Sequence, residues 1–166
     1  MAELSPMSEV LQSKVGCEKR RIVLVDIDGT ISKLGDRLVH LQGEKPDWDS
    51  FYSRCHEDEP IKKIAELVRA LARSYEVVYC SGRREDVKKL TIGWFAMHDI
   101  YWMQHTQVLM RKRDDYRHDV DVKPELLQEA GIGLDEIEFV LEDRNCMVKK
   151  WRDLGLTCLQ VADGDF

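Results

Sequence analysis

The stretch Arg21-Ile22-Val23-Leu24-Val25-Asp26-Ile27-Asp28-Gly29-Thr30 sets the tightest limit on what this chain can fold into. Ile22 to Val25 is continuously apolar and mostly β-branched, the pattern of a strand buried on both faces of a parallel sheet. It breaks off into two carboxylates, Asp26 and Asp28, followed by Gly29 and Thr30. Open α/β sheets bind their ligands beyond the carboxyl ends of their strands. Asp26 and Asp28 flank one residue, so in an extended chain both side chains can lean to the same side. Gly29 allows a sharp turn and leaves room for a small anion. The same residues also suit an ordinary Asp-Gly turn, and the remainder of the chain has to decide between the two.

Further strands follow at intervals. Pro60 opens a helical pattern through Ile61, Ile64, Leu67, Val68 and Leu71. Glu76 to Cys80 reads as a second buried strand and runs into Ser81-Gly82-Arg83. The next helix places Val87, Leu90, Trp94 and Met97 on one face, and Ile100 to Met103 reads as a third strand. A basic polar loop spans Arg111 to Asp119. Lys123-Pro124 opens a helix that stops at Gly131. Ile137 to Leu141 is a fourth strand, ending in Glu142-Asp143-Arg144. A helix burying Met147, Val148, Trp151 and Leu154 leads to a fifth strand, Thr157 to Val161. Strands alternating with helices predict an α/β domain with a mostly parallel five-stranded sheet and helices on both faces.

Residues 1–20 are expected to form an N-terminal extension, with a helical turn or two over Ser8 to Lys14, and 21–166 the folded domain. The polar segment 31–59 reads either as a surface connection or as a flap over the site, with Asp47 capping a short helix through Phe51, Tyr52 and Cys55. No run approaches the roughly 18 apolar residues of a membrane-spanning helix, and the N-terminus lacks a secretion-signal pattern. A net charge of −6 argues against a general nucleic-acid coat. The five cysteines are scattered without a Cys-x-x-Cys pair, as in a cytoplasmic protein with reduced thiols.

Three predicted strands thus end in reactive groups: Asp26 and Asp28, Ser81 and Arg83, Glu142 and Asp143. Parallel strands share one such edge, so these endings make a candidate site. Four carboxylates alone would repel one another and raise each other's pKa. A Mg²⁺ ion, which takes oxygen ligands, removes the conflict. Ser81, Arg83 and Lys123 are then available for the oxygens of a phosphate. Such a set suits phosphoryl transfer to an Asp, with the second carboxylate as acid and then base.

In order along the chain, Asp26-x-Asp28-Gly29-Thr30, Ser81-Gly82-Arg83, Lys123 and Glu142-Asp143 resemble the four motifs of the haloacid-dehalogenase (HAD) phosphohydrolases. The resemblance implies Asp26 as nucleophile and Asp28 as acid/base. It implies Mg²⁺ on Asp26, the Asp28 main-chain carbonyl and Asp143, with Glu142 acting through a bound water. Thr30, Ser81, Gly82 and Lys123 would serve the phosphoryl group. About thirty residues separate Thr30 from Pro60, too few for a folded α/β cap, so a capless domain or minimal flap is expected. The 3′-phosphatase domain of phage-type polynucleotide kinase–phosphatases is the nearer resemblance. Its carriers are Val78 to Arg83, Asp115-Tyr116-Arg117-His118-Asp119 before Val122-Lys123, Leu141 to Arg144, and the ending from Trp151 to Phe166. It implies further site roles for Arg83 and Asp119. Glu142 departs from it, standing where that group usually has Asp, and no Gly-x-x-x-x-Gly-Lys-Ser/Thr phosphate loop occurs, so the kinase half is missing.

An Mg²⁺-dependent phosphatase acting on 3′-phosphorylated nucleic-acid ends or 3′-nucleotides is the leading expectation. A 5′-nucleotidase on free nucleoside monophosphates and an inactive binding module are the alternatives, and a homo-oligomer stays open. Arg84, Arg111, Arg113 and Arg117 are candidate contacts to nucleic-acid phosphates. Trp48 or Tyr116 could stack on a base, and His118 is the one histidine next to a candidate site residue.

Overall fold

The structure, a computed structural model, describes residues 20–164. The helical turns expected over Ser8 to Lys14, and almost all of the N-terminal extension, lie outside them. In chain order the elements are β1 (Ile22–Val25), β2 (Ser32–Lys33), a 3-10 turn (Asp36–Leu41), α1 (Trp48–Ser53), β3 (Glu59–Pro60), α2 (Lys62–Leu71), β4 (Glu76–Arg84), α3 (Lys88–Met97), β5 (Val108–Arg111), α4 (Asp119–Glu129), β6 (Ile137–Arg144), α5 (Asn145–Asp153) and β7 (Cys158–Gly164). The main sheet has the order β5-β4-β1-β6-β7, and every neighbouring pair is parallel.

β1 is central and wholly buried because both of its faces are covered. Val23 and Val25 point into a core shared with Tyr79, Trp94 and Phe95. Ile22 and Leu24 point the other way, toward Leu127, Met147 and Trp151. α2 and α3 therefore cover one face, and α4 and α5 the other. Immediately after β1 the chain folds back on itself. The N–H groups of Ile31 and Ser32 both reach the Ile27 carbonyl, and Gly29 adopts φ 87° within this turn.

The segment between β1 and α2 is a flap. β2 and β3 pair antiparallel, and α1 follows an Asp47 cap that accepts from the Ser50 N–H. Phe51, Tyr52, Cys55 and Asp58 are buried under it, which a loose surface connection would not achieve.

Some local expectations shift. The third strand is Val108–Arg111 and not Ile100 to Met103. Both runs are short and apolar, and pairing chooses between them: Tyr79 aligns with Val108. Ile100 is buried as part of the core under α3, and the Tyr101 carbonyl accepts from the Tyr79 hydroxyl at 2.6 Å. α2 begins at Lys62, with Pro60 in β3. α4 begins at Asp119, with His118 as its cap. Lys123 and Pro124 therefore sit inside that helix; Pro124 has no N–H to donate, and this weakens the turn it occupies. α3 buries Thr91, Trp94 and Phe95 and leaves Leu90 and Met97 exposed, because Val87 and Trp94 alone of the expected stripe face the sheet. Leu67 of α2 and Leu154 after α5 are likewise exposed.

Trp94 joins the flap to the sheet. It is fully buried, and its indole N–H donates to the Asp58 carbonyl at 2.7 Å. Trp94→Ala should lower stability by about 3–5 kcal/mol through the cavity and the orphaned carbonyl. Urea denaturation of the two proteins would measure this, and a loss under about 1 kcal/mol would show that the flap does not rely on that anchor.

Candidate active site

The strand ends converge as a parallel sheet requires. Asp26 leaves β1 with its N–H on the Leu141 carbonyl of β6, and its carboxylate meets Lys123, which α4 brings over from the second face. Lys123 Nζ lies 2.6 Å from Asp26 Oδ1 and 2.8 Å from Glu142 Oε2. All three groups are buried, as is Asp143. Oxygen atoms of Asp26, Glu142 and Asp143 fall within 4.8 Å of one another.

Three carboxylates against one ammonium leave two negative charges uncompensated. Burial, reinforced by Glu142, pushes Asp26 well above the usual carboxylate range despite the opposing pull of Lys123. Burial and Glu142 also push Asp143 up to about 6, although Thr30 holds it down by donating to Oδ1 at 3.0 Å. A compact set of hard oxygen donors with that excess charge fits a divalent cation such as Mg²⁺. Two glycines make room for the buried Asp143 carboxylate: a Cβ at Gly29 would overlap its oxygens, and one at Gly164 would lie 2.6 Å from Oδ2.

Asp28 has the opposite surroundings. Arg83 grips it with Nη2 at 2.6 Å from Oδ1 and Nε at 3.0 Å from Oδ2. Arg37, from the 3-10 turn of the flap, adds a third contact at 2.5 Å. Burial alone would raise its pKa, but the two guanidiniums outweigh burial and lower it. Behind them Asp58 accepts from Arg37 at 2.8 Å and from the Ser32 hydroxyl at 2.9 Å. Arg83 is completed by Thr91 Oγ1 at 3.1 Å. Two buried cations thus face one buried anion, Asp58, and one partly buried anion, Asp28.

Arg37, Asp58 and Ser32 were not evident from the sequence. They lie in a polar segment with no periodicity, and only the packing of the flap reveals them. Arg37 Nη1 is buried with no hydrogen-bond partner among the described residues.

Other expected site residues are placed as follows. Ser81 is buried, and its hydroxyl accepts from the Arg83 N–H at 3.2 Å. Thr30 is fully buried on Asp143, so its hydroxyl steadies a carboxylate where a phosphate contact was expected. Asp119 binds Arg111, and Arg144 at 2.8 Å. It lies so close to Gly82 that a Cβ there would sit 2.8 Å from Oδ1. It buttresses the Ser81–Arg83 turn. His118 caps α4 by accepting from the Val120 N–H at 3.4 Å.

The expected basic patch changes character. Arg84 is buried between Asp49 at 2.7 Å and Asp86 at 3.0 Å. Arg111 is buried on Asp119 and on the carbonyls of Asp115 and Arg117. Arg111 holds the loop in place, and Arg84 ties the end of β4 to α1 of the flap. Arg113 and Arg117 remain exposed, paired with Asp86 at 3.7 Å and with Asp115 at 2.6 Å respectively. Asp86 therefore joins the two basic clusters across one side of a cleft of about 640 Å³ whose floor includes Asp26, Asp28 and Lys123.

With this arrangement in view, comparison with known proteins becomes specific. The family model of the polynucleotide kinase PNKP phosphatase domain matches residues 20–166. The chain belongs to that family. It is therefore a HAD-type phosphohydrolase domain, and the fold agrees: a hydrolase of the haloacid dehalogenase-like family from Streptococcus pneumoniae superposes with a TM-score of 0.55 at 14% identity, over 86% of this chain and 84% of that one. A structure of the Pnkp1/Rnl/Hen1 RNA repair complex matches with a TM-score of 0.73 and 33% identity, over 89% of this chain and 44% of that chain. A protein of Autographa californica nuclear polyhedrosis virus named "Putative bifunctional polynucleotide kinase/RNA ligase" is 28% identical over 142 residues, covering 84% of this chain and 19% of that protein. The chain thus spans less than half the length of these two PNKP-type relatives.

Asp143 provides a direct check on the charge excess. A carboxyl with a raised folded-state pKa binds its proton more tightly folded than unfolded. Its stabilising contribution is complete below about 4 and is lost as pH rises through 6. In chelator, Asp143→Asn should melt several degrees above wild type at neutral pH, with the difference fading toward pH 4. Thermal melts across that range would show it; a pH-independent difference would contradict the assigned environment.

Proposed function

We propose that this domain is a Mg²⁺-dependent phosphomonoesterase that passes the phosphoryl group through Asp26 and acts on the 3′-phosphates of nucleic-acid ends. The observation that carries the reading is the pairing of two unlike aspartates at the end of the central strand. Asp26 is buried on Lys123 beside Glu142 and Asp143, and Asp28, two residues on, is held by two arginines. Aspartates with pKa values driven apart suit a nucleophile and an acid/base partner.

In this reading an Asp26 oxygen attacks phosphorus and the ester P–O bond breaks. The leaving alkoxide takes a proton from Asp28. Water then attacks the aspartyl phosphate, gives its proton to Asp28, and phosphate departs. Asp26, Asp143 and Glu142 are the side chains that would hold Mg²⁺, which supplies the positive charge that lets a carboxylate approach a phosphate dianion. Lys123 contributes a fixed positive charge at the same point. Arg83 and Arg37 favour the ionised form of Asp28, the form that takes the proton from water in the second step; the first step requires Asp28 to have taken up a proton beforehand. Asp119 acts on this site through the Ser81–Arg83 turn and the arginines it holds.

The 3′-end preference rests on the family and on the nature of the relatives, one of them solved as part of an RNA repair complex. An open cleft with exposed Arg113 and Arg117 on one wall suits a polymer end better than a sealed pocket would.

Two outcomes follow. Asp26→Asn should retain its circular dichroism spectrum and lose at least about 10⁴-fold in turnover; comparable turnover would refute the nucleophile. Phosphate release with Mg²⁺ should favour a 3′-phosphorylated oligonucleotide over its 5′-phosphorylated twin and over a nucleoside 5′-monophosphate. Preference for the monomer would instead make this a nucleotidase.

A further inference from the structure

The cleft has two unlike walls. One side carries Arg84, Arg111, Arg113 and Arg117, each paired with a carboxylate, and the last two exposed. The flap side is apolar, built from Leu34, Leu38, Leu41, Trp48, Phe51 and Tyr52. Phosphate chemistry alone has no use for such a wall. Phe51 and Tyr52 are buried and explained by core packing, but Trp48 is 45% exposed.

The indole is nevertheless fixed. It stands edge-on to Phe51 at 5.9 Å and 85°, and stacks on Tyr52 at 5.9 Å and 27°. Tyr52 is itself anchored, donating its hydroxyl to the Gly82 carbonyl at 3.2 Å, inside the Ser81–Arg83 turn. The Arg84 guanidinium covers the Tyr52 ring at 5.0 Å. Arg84 and Trp48 thus both pack on the Tyr52 ring, which is tied through its hydroxyl to Gly82 near the end of β4, and Trp48 is the exposed member of the group. Tyr116 lines the same cleft but is 79% exposed and has no ring partner among the described residues.

We infer that Trp48 is the stacking platform for the base of the nucleotide whose phosphate is removed. The inference rests on the phosphatase reading above. A nucleotide end is an aromatic disc joined to an anionic backbone, and the cleft offers an aromatic face opposite exposed arginines. An immobilised ring loses little entropy on binding, and stacking is worth about 1–3 kcal/mol per base, roughly 5–150-fold in affinity. It would accept any base, since all present a π face.

The test crosses protein with substrate. Wild type, Trp48→Ala and Trp48→Phe are assayed with Mg²⁺ on a 3′-phosphorylated oligonucleotide and on the same oligomer with an abasic terminal nucleotide. Trp48→Ala should raise KM on the intact oligomer about tenfold with kcat within about twofold, and Trp48→Phe should recover most of the loss. On the abasic oligomer the three proteins should behave alike. An equal effect of Trp48→Ala on both substrates, or none on either, would overturn the platform while leaving the phosphatase reading intact. Failure of wild type to release phosphate from either oligomer would overturn both.

Discussion

Lys123 is held among three buried carboxylates, and the site's chemistry follows from that imbalance. Away from water each carboxylate suffers from its neighbours, and a single ammonium cannot neutralise three. The fold tolerates the strain because β1 and β6 run parallel and end at one level, with Asp26 and Glu142–Asp143 projecting from them. α4 then delivers one compensating charge from the opposite face. Glu142 shows how finely the pieces are set. Its longer arm folds back so that Oε2 meets Lys123, with the Trp151 indole N–H at 3.4 Å. Oε1 accepts from the backbone N–H of Asp143 at 3.3 Å. Glutamate at this position is thus satisfied from both sides.

A second group of charges lies close by and is balanced. Arg37 and Arg83 face Asp28 and Asp58, with Ser32 and Thr91 adding further hydrogen bonds and Arg37 Nη1 alone of the group without a partner among the described residues. Buried pairs of this kind are tolerable only when nearly every donor and acceptor is met. The contrast between a charge-deficient cluster and a satisfied one, two residues apart on the chain, separates the proton affinities of Asp26 and Asp28.

The parts of the site visible in the sequence were those fixed by strand ends. Asp26, Asp28, Ser81, Arg83, Glu142 and Asp143 terminate or flank apolar strand runs, so the parallel topology brings them together, while Lys123 arrives from within α4. Residues recruited by packing left no periodic mark: Arg37 and Asp58 come from the flap, and their partners are set by how it folds down. The same reason explains the displaced third strand. Ile100 to Met103 and Val108 to Arg111 carry similar local signals, and only the register against Tyr79 separates them. It also explains Arg84 and Arg111, which a linear reading takes for surface charge. Each meets an acidic partner distant in sequence or hidden in a loop turn. The PNKP-family membership confirms the fold read from the motifs, while the individual residue roles rest on the geometry.

Arg37 gives the flap an unusual mechanical standing. Lifting the flap would pull one guanidinium out of a quartet, strand Asp28 on Arg83 alone, and strip Asp58 of its main partner, while the Trp94 anchor lost its carbonyl acceptor. Segments that open independently have few such attachments. The flap therefore shares the cooperative unit of the sheet, and its amides should exchange with solvent no faster than those of the core strands. The apolar wall of the cleft is thus anchored to the same core that holds the strand ends.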